Sequence, residues 1–165
     1  MKLHTLLLAA ALILPAPLAL AQGAAPADVK TMAASAEVQD LIAKAKAQPP
    51  KPLINQPIVG TGAYRANLEY RAGAPAPASI HDNENELMYF IQGTGTLTTG
   101  GSLVDGTRSN PTNQSGSGIS GGTPMTVGPG SVAIIPAGVP HQIAADAGSA
   151  IAVMTFHVPQ PWPGR

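Results

Sequence analysis

The sequence predicts an all-β domain, an antiparallel sandwich or barrel of short strands, preceded by one helix. Three observations carry this. Gly and Pro together make 35 of 165 residues, above ordinary usage yet below the roughly 25–30% at which a chain is too low in complexity to fold. Between these turn formers run short segments of period-two or continuous apolar character, the pattern of antiparallel sandwiches and barrels. A single segment carries helical spacing instead.

In chain order, the first element is a leader. Lys2 precedes an apolar run from Leu6 to Leu14, and Ala19-Leu20-Ala21 meets the small-x-small rule, so residues 1–21 read as a signal peptide cleaved before Gln22. The run is too short for a bilayer, and no later stretch offers the roughly 20 apolar residues a span needs. The expected location is periplasmic or secreted, with no membrane span once the leader is removed. Cleavage leaves 144 residues and, with Lys2 gone, a net charge of −1. At about that length a folded chain buries roughly 68–70% of its surface, enough for one unstapled domain. With no cysteine in the chain, disulfides and thiolate chemistry are excluded, so any metal must rest on His, Asp or Glu. The even balance of 9 basic and 9 acidic residues gives no basic cluster to face phosphates, which argues against nucleic acid as a partner.

Residues 22–34, rich in Ala and Pro at their start, are expected to be disordered. Val38, Leu41, Ile42 and Ala45 recur at helical spacing, with Ser35 as N-cap and Lys44 and Lys46 at the negative end of the dipole. A helix over 36–47 follows, stopped by Pro49, Pro50 and Pro52. Helix and linker occupy 35–62, and the barrel 63–158. Tyr64, Ala66, Leu68 and Tyr70 alternate with Arg65, Asn67, Glu69 and Arg71 as in a half-buried strand. Further strands are expected at 86–92, 95–99, 125–127, 131–135, 141–145 and 150–158, with Met88, Phe90, Met154 and Phe156 lining the barrel. Residues 105–124 read as a long surface loop, and 159–165 as a tail bearing Trp162. Two motif matches inside that loop, Gly118 to Gly122 for a nucleophile elbow and Gly116 to Gly121 for a dinucleotide fingerprint, lack the flanking strand and helix that either mechanism needs. Asn113-Gln114-Ser115 is a glycosylation sequon of the same loop.

Three histidines remain in the mature chain: His81, His141 and His157. His81 precedes Glu86, which six residues separate from Gly93. Gly130, Pro136, Gly138 and His141 form a second spaced set. Together these resemble the cupin superfamily, whose motifs read G-x5-H-x-H-x3,4-E-x6-G and G-x5-P-x-G-x2-H-x3-N. His81 takes the second-histidine position of the first motif, and the second motif fits without a gap as far as His141. Ser79 stands where the first histidine would be, and Ala145 replaces the final asparagine. The resemblance spans roughly 64–158 and implies a double-stranded β-helix, or jelly-roll barrel, with a metal pocket inside. It also implies a homodimer as the expected assembly.

His81, Glu86 and His141 are therefore the candidate metal ligands, for Fe, Mn, Ni or Zn. Two imidazoles and a carboxylate suit such ions and leave coordination positions open. His81 and Glu86 are an odd number of residues apart, so an unbroken strand would aim them at opposite faces; the turn-forming residues 82–85 predict a break in the pleat. Pro136, Gly138 and Pro140 present His141 on a stiff hairpin. A calcium loop through Asp82, Glu84 and Glu86 is disfavoured, because Leu87 stands where its sharp turn needs Gly. Asp82 and Glu84 then read as solvated turn residues, and His157, with no acid near it in sequence, as structural. The expected function is metal-dependent chemistry on a small organic molecule, with oxygenase favoured over isomerase and Glu86 also the candidate catalytic proton acceptor. The alternatives are a barrel that binds a sugar or phenol without turnover, and a structural dimer with a vestigial site.

Overall fold

The computed structural model describes residues 29–160. The signal peptide expected at 1–21, the start of the segment from 22 and the tail from residue 161, with Trp162, lie outside the described residues. Residues 29–34, expected to be disordered, instead run extended along the domain, where Lys30 bridges to Gly60.

The helix α1 (Ser35–Lys46) starts one residue earlier than its spacing predicts. Ala34 rather than Ser35 is its cap, and no side chain bonds the free N–H groups there. Glu37 in the first turn favours the dipole and is held by Lys30. Thirteen strands follow: β1 (Ile54–Thr61), β2 (Tyr64–Ala72), β3 (Ala78–His81), β4 (Glu84–Gln92), β5 (Gly95–Thr99), β6 (Ser102–Val104), β7 (Thr107–Asn110), β8 (Asn113–Gly116), β9 (Gly118–Ser120), β10 (Thr123–Val127), β11 (Val132–Ile135), β12 (His141–Ala145) and β13 (Ala150–Pro159). They form a five-stranded sheet in the order β1-β2-β13-β4-β11, a six-stranded sheet in the order β10-β5-β12-β3-β8-β7, and the ribbon β6-β9. All the pairings between these strands are antiparallel. This is the predicted antiparallel barrel with one N-terminal helix.

Met88 and Phe90 of β4, Leu97 of β5, Ile143 of β12, and Ile151 and Val153 of β13 form the closed end of the barrel, almost fully buried. At about 25 cal/mol per Å² of apolar surface, each such side chain contributes on the order of 1.5–3 kcal/mol. A second apolar cluster lies outside the barrel, where Ile42 of α1 packs on Ile58, Leu68 and Ala152 of the five-stranded sheet. Gln56 Nε2 donates to Leu41 O at 3.0 Å and ties β1 to the helix. Met154 joins this outer cluster, and Phe156, three positions from the strand's end, alternates with it; neither lines the barrel as expected. The inward row of β13 is Ile151, Val153, Thr155 and His157. Among the described residues, no helix is long and apolar enough to cross a membrane.

The helix also reverses the reading of β2. Its apolar side chains Ala66 and Leu68 are buried, Leu68 against α1, and its polar row turns into the barrel, where Glu69 and Arg71 are buried too. Both faces are covered, so the strand is not half-buried. Half of the expected linker is strand β1; Pro57 is tolerated there because β1 is an edge and its register shifts between Pro57 and Val59. The expected loop at 105–124 is a folded excursion carrying β7, β8 and β9. It has little core of its own and is anchored by polar contacts. Asp82, read as a solvated turn residue, takes Arg108 Nη1 at 2.5 Å and Gln114 Nε2 at 3.0 Å.

Thr155 is fully buried and its Oγ1 has no hydrogen-bond partner among the described residues. An orphaned buried hydroxyl costs about 1–3 kcal/mol. Thr155→Val should therefore raise the thermal midpoint by a few degrees, read by calorimetry.

Candidate metal centre

The site forms where the two sheets approach at the open end of the barrel. β3 in the six-stranded sheet ends at His81, Asp82 and Asn83 make a turn, and β4 starts in the other sheet at Glu84. That is the predicted break in the pleat, and it lets His81 and Glu86 face each other despite their odd separation. The hairpin turn before His141 docks on the same strand: the Gly138 N–H, at φ 79°, donates to His81 O at 2.8 Å. His141 then pairs directly with Ser79 of β3.

Glu86 is the hub. Its Oε2 lies 2.9 Å from His141 Nε2 and 3.3 Å from His81 Nε2. The three residues predicted from the sequence therefore meet within the barrel, with the His81 and His141 rings 5.3 Å apart between centres. A fourth was missed. His157, read as structural, lies across the ladder from Glu86, with Nε2 at 3.9 Å from Glu86 Oε1. Among the described residues, the group with one ligand atom each within 4.8 Å of the others is His81, Glu86 and His157, so His157 takes the place expected for His141, which approaches Glu86 but lies outside that group. No acid stands beside it in sequence; Glu84 and Glu86 reach it from the neighbouring strand. The signal available was parity: His157 continues the inward row of Ile151, Val153 and Thr155.

Each imidazole is held from behind through Nδ1. His81 Nδ1 donates to Asn113 Oδ1 at 2.6 Å, His141 Nδ1 to Val139 O at 3.2 Å, and His157 Nδ1 to Glu84 Oε2 at 3.1 Å. Asn113 is oriented by its own Nδ2, which donates to Asn110 Oδ1 at 3.0 Å. Glu84, read as solvated, is clamped by both terminal nitrogens of Arg65 at 2.6 and 2.7 Å. Tying down Nδ1–H fixes the tautomer and leaves the Nε2 lone pair for a ligand. Three such lone pairs turned toward one carboxylate repel unless a proton or a cation lies among them. Glu86 is 2% exposed, and with each ring proton on Nδ1 its Oε2 has no hydrogen-bond donor among the described residues. An orphaned buried oxygen facing two such imidazoles, with a third against its partner oxygen, fits a divalent cation held by Nε2 and carboxylate oxygen.

The same groups compete for protons. Burial pushes the Glu86 carboxyl up, but His141 and His81 beside it outweigh burial and hold it far below the usual carboxylate range. Burial pulls His81 down, yet the Glu86 carboxylate beside it and the Asn113 oxygen on Nδ1 favour its charged form and leave it raised. His157 is lowered, first by burial and then, against the pull of Glu86, by the positive charges of Arg65 and His81. Asn113→Ala should weaken metal affinity about 10–100-fold, the usual cost of losing a partner behind a ligating histidine. Competition with a chromogenic chelator measures it.

The histidines and Glu86 line the inner part of a cavity of about 330 Å³, whose walls include Asn67, Glu69, Arg71 and Ser79.

The chain is similar to several solved structures. The protein BH2720 from Bacillus halodurans superposes with a TM-score of 0.54 at 12% identity, covering 81% of this chain and 85% of its own. The Cnp3 cupin domain of Schizosaccharomyces pombe gives 0.50 at 15% identity, over 69% of this chain and 66% of that one. TT1209 from Thermus thermophilus gives 0.49 at 15%, over 70% and 93%. No curated protein matches the sequence. The cupin family pattern matches residues 55–161, nearly two thirds of the chain and all of the barrel. The chain belongs to the cupin family.

Proposed function

We propose that the barrel holds one divalent transition metal on Glu86 and the histidines around it, and acts on a small organic molecule bound in the cavity above. The observation that carries this reading is the orphaned Glu86 Oε2, faced by the Nε2 atoms of His81 and His141, with His157 behind its partner oxygen. Carboxylate plus imidazole with open positions is the donor set of non-haem iron oxygenases, so we read the reaction as metal-dependent oxygenation. When bound, the ion would supply a site that activates dioxygen or polarises a substrate oxygen.

The protein's own contribution is preorganisation. Asn113, Val139 and Glu84 hold the three rings, and the apolar floor of Met88, Phe90 and Leu97 closes the barrel below them. The depressed pKa of Glu86 makes it a weak base, so it serves first as a ligand, and a proton-accepting role requires that it leave the ion.

We further propose export, on the basic start and apolar run of residues 1–21; recovery outside the cytoplasm of a chain beginning at Gln22 is the expected result. The metal reading is tested by elemental analysis of the purified protein before and after loading with Fe, Mn, Ni and Zn. About one ion per chain is expected. No retained ion under any loading would remove the enzyme reading, and stoichiometric iron without oxygen uptake in the presence of small organic substrates would remove oxygenation.

A further inference from the structure

The wall of the cavity above the histidines is built from the polar row of β2. Glu69 and Arg71 on it are 6% and 9% exposed. Their pairing uses only one carboxylate oxygen: Arg71 donates to Glu69 Oε2 from Nε at 3.1 Å and from Nη2 at 2.5 Å. Glu69 Oε1 and Arg71 Nη1 bond to no described residue. A buried ion pair is seldom the most stable filling for such a space, since apolar residues of similar size serve as well or better. The unused acceptor and the unused donors lie side by side on the cavity wall.

Charge accounting narrows the ligand. Arg71 is neutralised by Glu69 and Arg65 by Glu84, so the β2 wall itself has no spare cation, and an anion placed against it, away from the metal centre, would meet the Glu69 carboxylate. An aromatic or lipid ligand would need an apolar wall, yet among the described residues Leu53 and Pro77 are the only apolar side chains lining this cavity, and no Phe, Tyr or Trp does so. Apart from the two ion pairs and the cluster of Glu86 with the histidines, the remaining lining is amide and hydroxyl: Asn55, Asn67, Ser79 and Ser115. Each of these groups both donates and accepts. A volume of about 330 Å³ stands near the small end of ligand cavities.

We propose that this wall binds a neutral polyhydroxylated ligand, a monosaccharide or sugar alcohol. One hydroxyl donates to Glu69 Oε1 while its neighbour accepts from Arg71 Nη1, and Asn55 and Asn67 take further hydroxyls. The proposal rests on the reading of this cavity as the ligand chamber and not on the presence of a metal.

The test is a titration of the protein, zinc-loaded and metal-free, followed by amide chemical shifts. The probes are D-glucose, D-mannose, L-arabinose and myo-inositol, with succinate, benzoate and catechol as comparators. At least one neutral probe should give saturable shifts along β2, and in the metal-free protein no comparator should. Glu69→Gln should weaken that binding tenfold or more, and so should Asn67→Ala, which keeps the ion pair intact should Glu69→Gln fail to fold. Saturation by a comparator alone, silence from all four neutral probes, or unchanged affinity in Asn67→Ala would overturn the proposal. Neutral-probe binding in a protein that takes up no metal would remove the metal reading and leave this one standing; metal uptake without such binding would do the reverse.

Discussion

Glu86→Gln is expected to abolish metal retention while the barrel stays folded. The substitution keeps the shape of the side chain and removes the charge on which the histidines converge. Glu86 Oε2 is the atom approached by both His81 and His141, and Oε1 is the one approached by His157. An amide in that place presents a weaker ligand oxygen, and an N–H₂ group opposes any cation. Elemental analysis should find less than a tenth of the wild-type ion content after identical loading. The histidines report the same change through their protons. In metal-free wild type, His81 titrates above its ordinary range and His157 below it, so His81 takes up its proton first as the pH falls. In Glu86→Gln the His81 value should drop, because its strongest raising partner loses its charge. Ring-proton resonances followed against pH check the order. A His81 that titrates no higher than His157 in metal-free wild type would show that the carboxylate does not face it.

The second large effect concerns the backbone. Gly93, which closes the first motif, has φ 77°, and a Cβ built there would lie 1.9 Å from Ala150 O on β13. That oxygen is main chain of the best-buried strand, so it cannot swing away as a flexible side-chain tip could. Gly93→Ala combines left-handed strain of about 1–2 kcal/mol with the separation of β4 from β13, and should cost about 3–5 kcal/mol in all. For a domain of this size that is on the order of 10–15 °C in thermal midpoint. Gly130, which opens the second motif, is the control: its φ is 86°, but nothing lies within 4 Å of the added Cβ. Gly130→Ala should therefore show the strain alone. Equal midpoints for the two variants would mean that the crowding at Gly93 is not there.

The contrast between these glycines also bears on what the sequence revealed. Elements whose signal is periodic were legible: the helix to within a residue at either end, β5 and β12 to the residue, and β2, β4, β11 and β13 nearly so. Elements that lack apolar alternation were not. β7, β8 and β9 are made of Gly, Ser, Thr and Asn with hardly a core residue, and polar contacts such as Arg108 to Asp82 hold them. β3 is four residues long and follows Pro75 and Pro77, so its pattern was too short to register. The polar row of β2 was visible as a row, yet its direction depended on α1 covering the opposite face, which only the tertiary arrangement decides. The metal centre divides in the same way. His81, Glu86 and His141 were readable because motif spacing fixes turns as well as ligands. His157 was not, because its relation to Glu84 and Glu86 runs across hydrogen-bonded strands more than seventy positions apart.

The most direct test of the account is anomalous diffraction from crystals of the zinc- or iron-loaded protein. One ion is expected inside the barrel, about 2.0–2.2 Å from a Glu86 carboxylate oxygen and from the Nε2 atoms of at least two of His81, His141 and His157. A loaded crystal whose ion sits on surface carboxylates, with Glu86 and the three imidazoles uncoordinated, would contradict it.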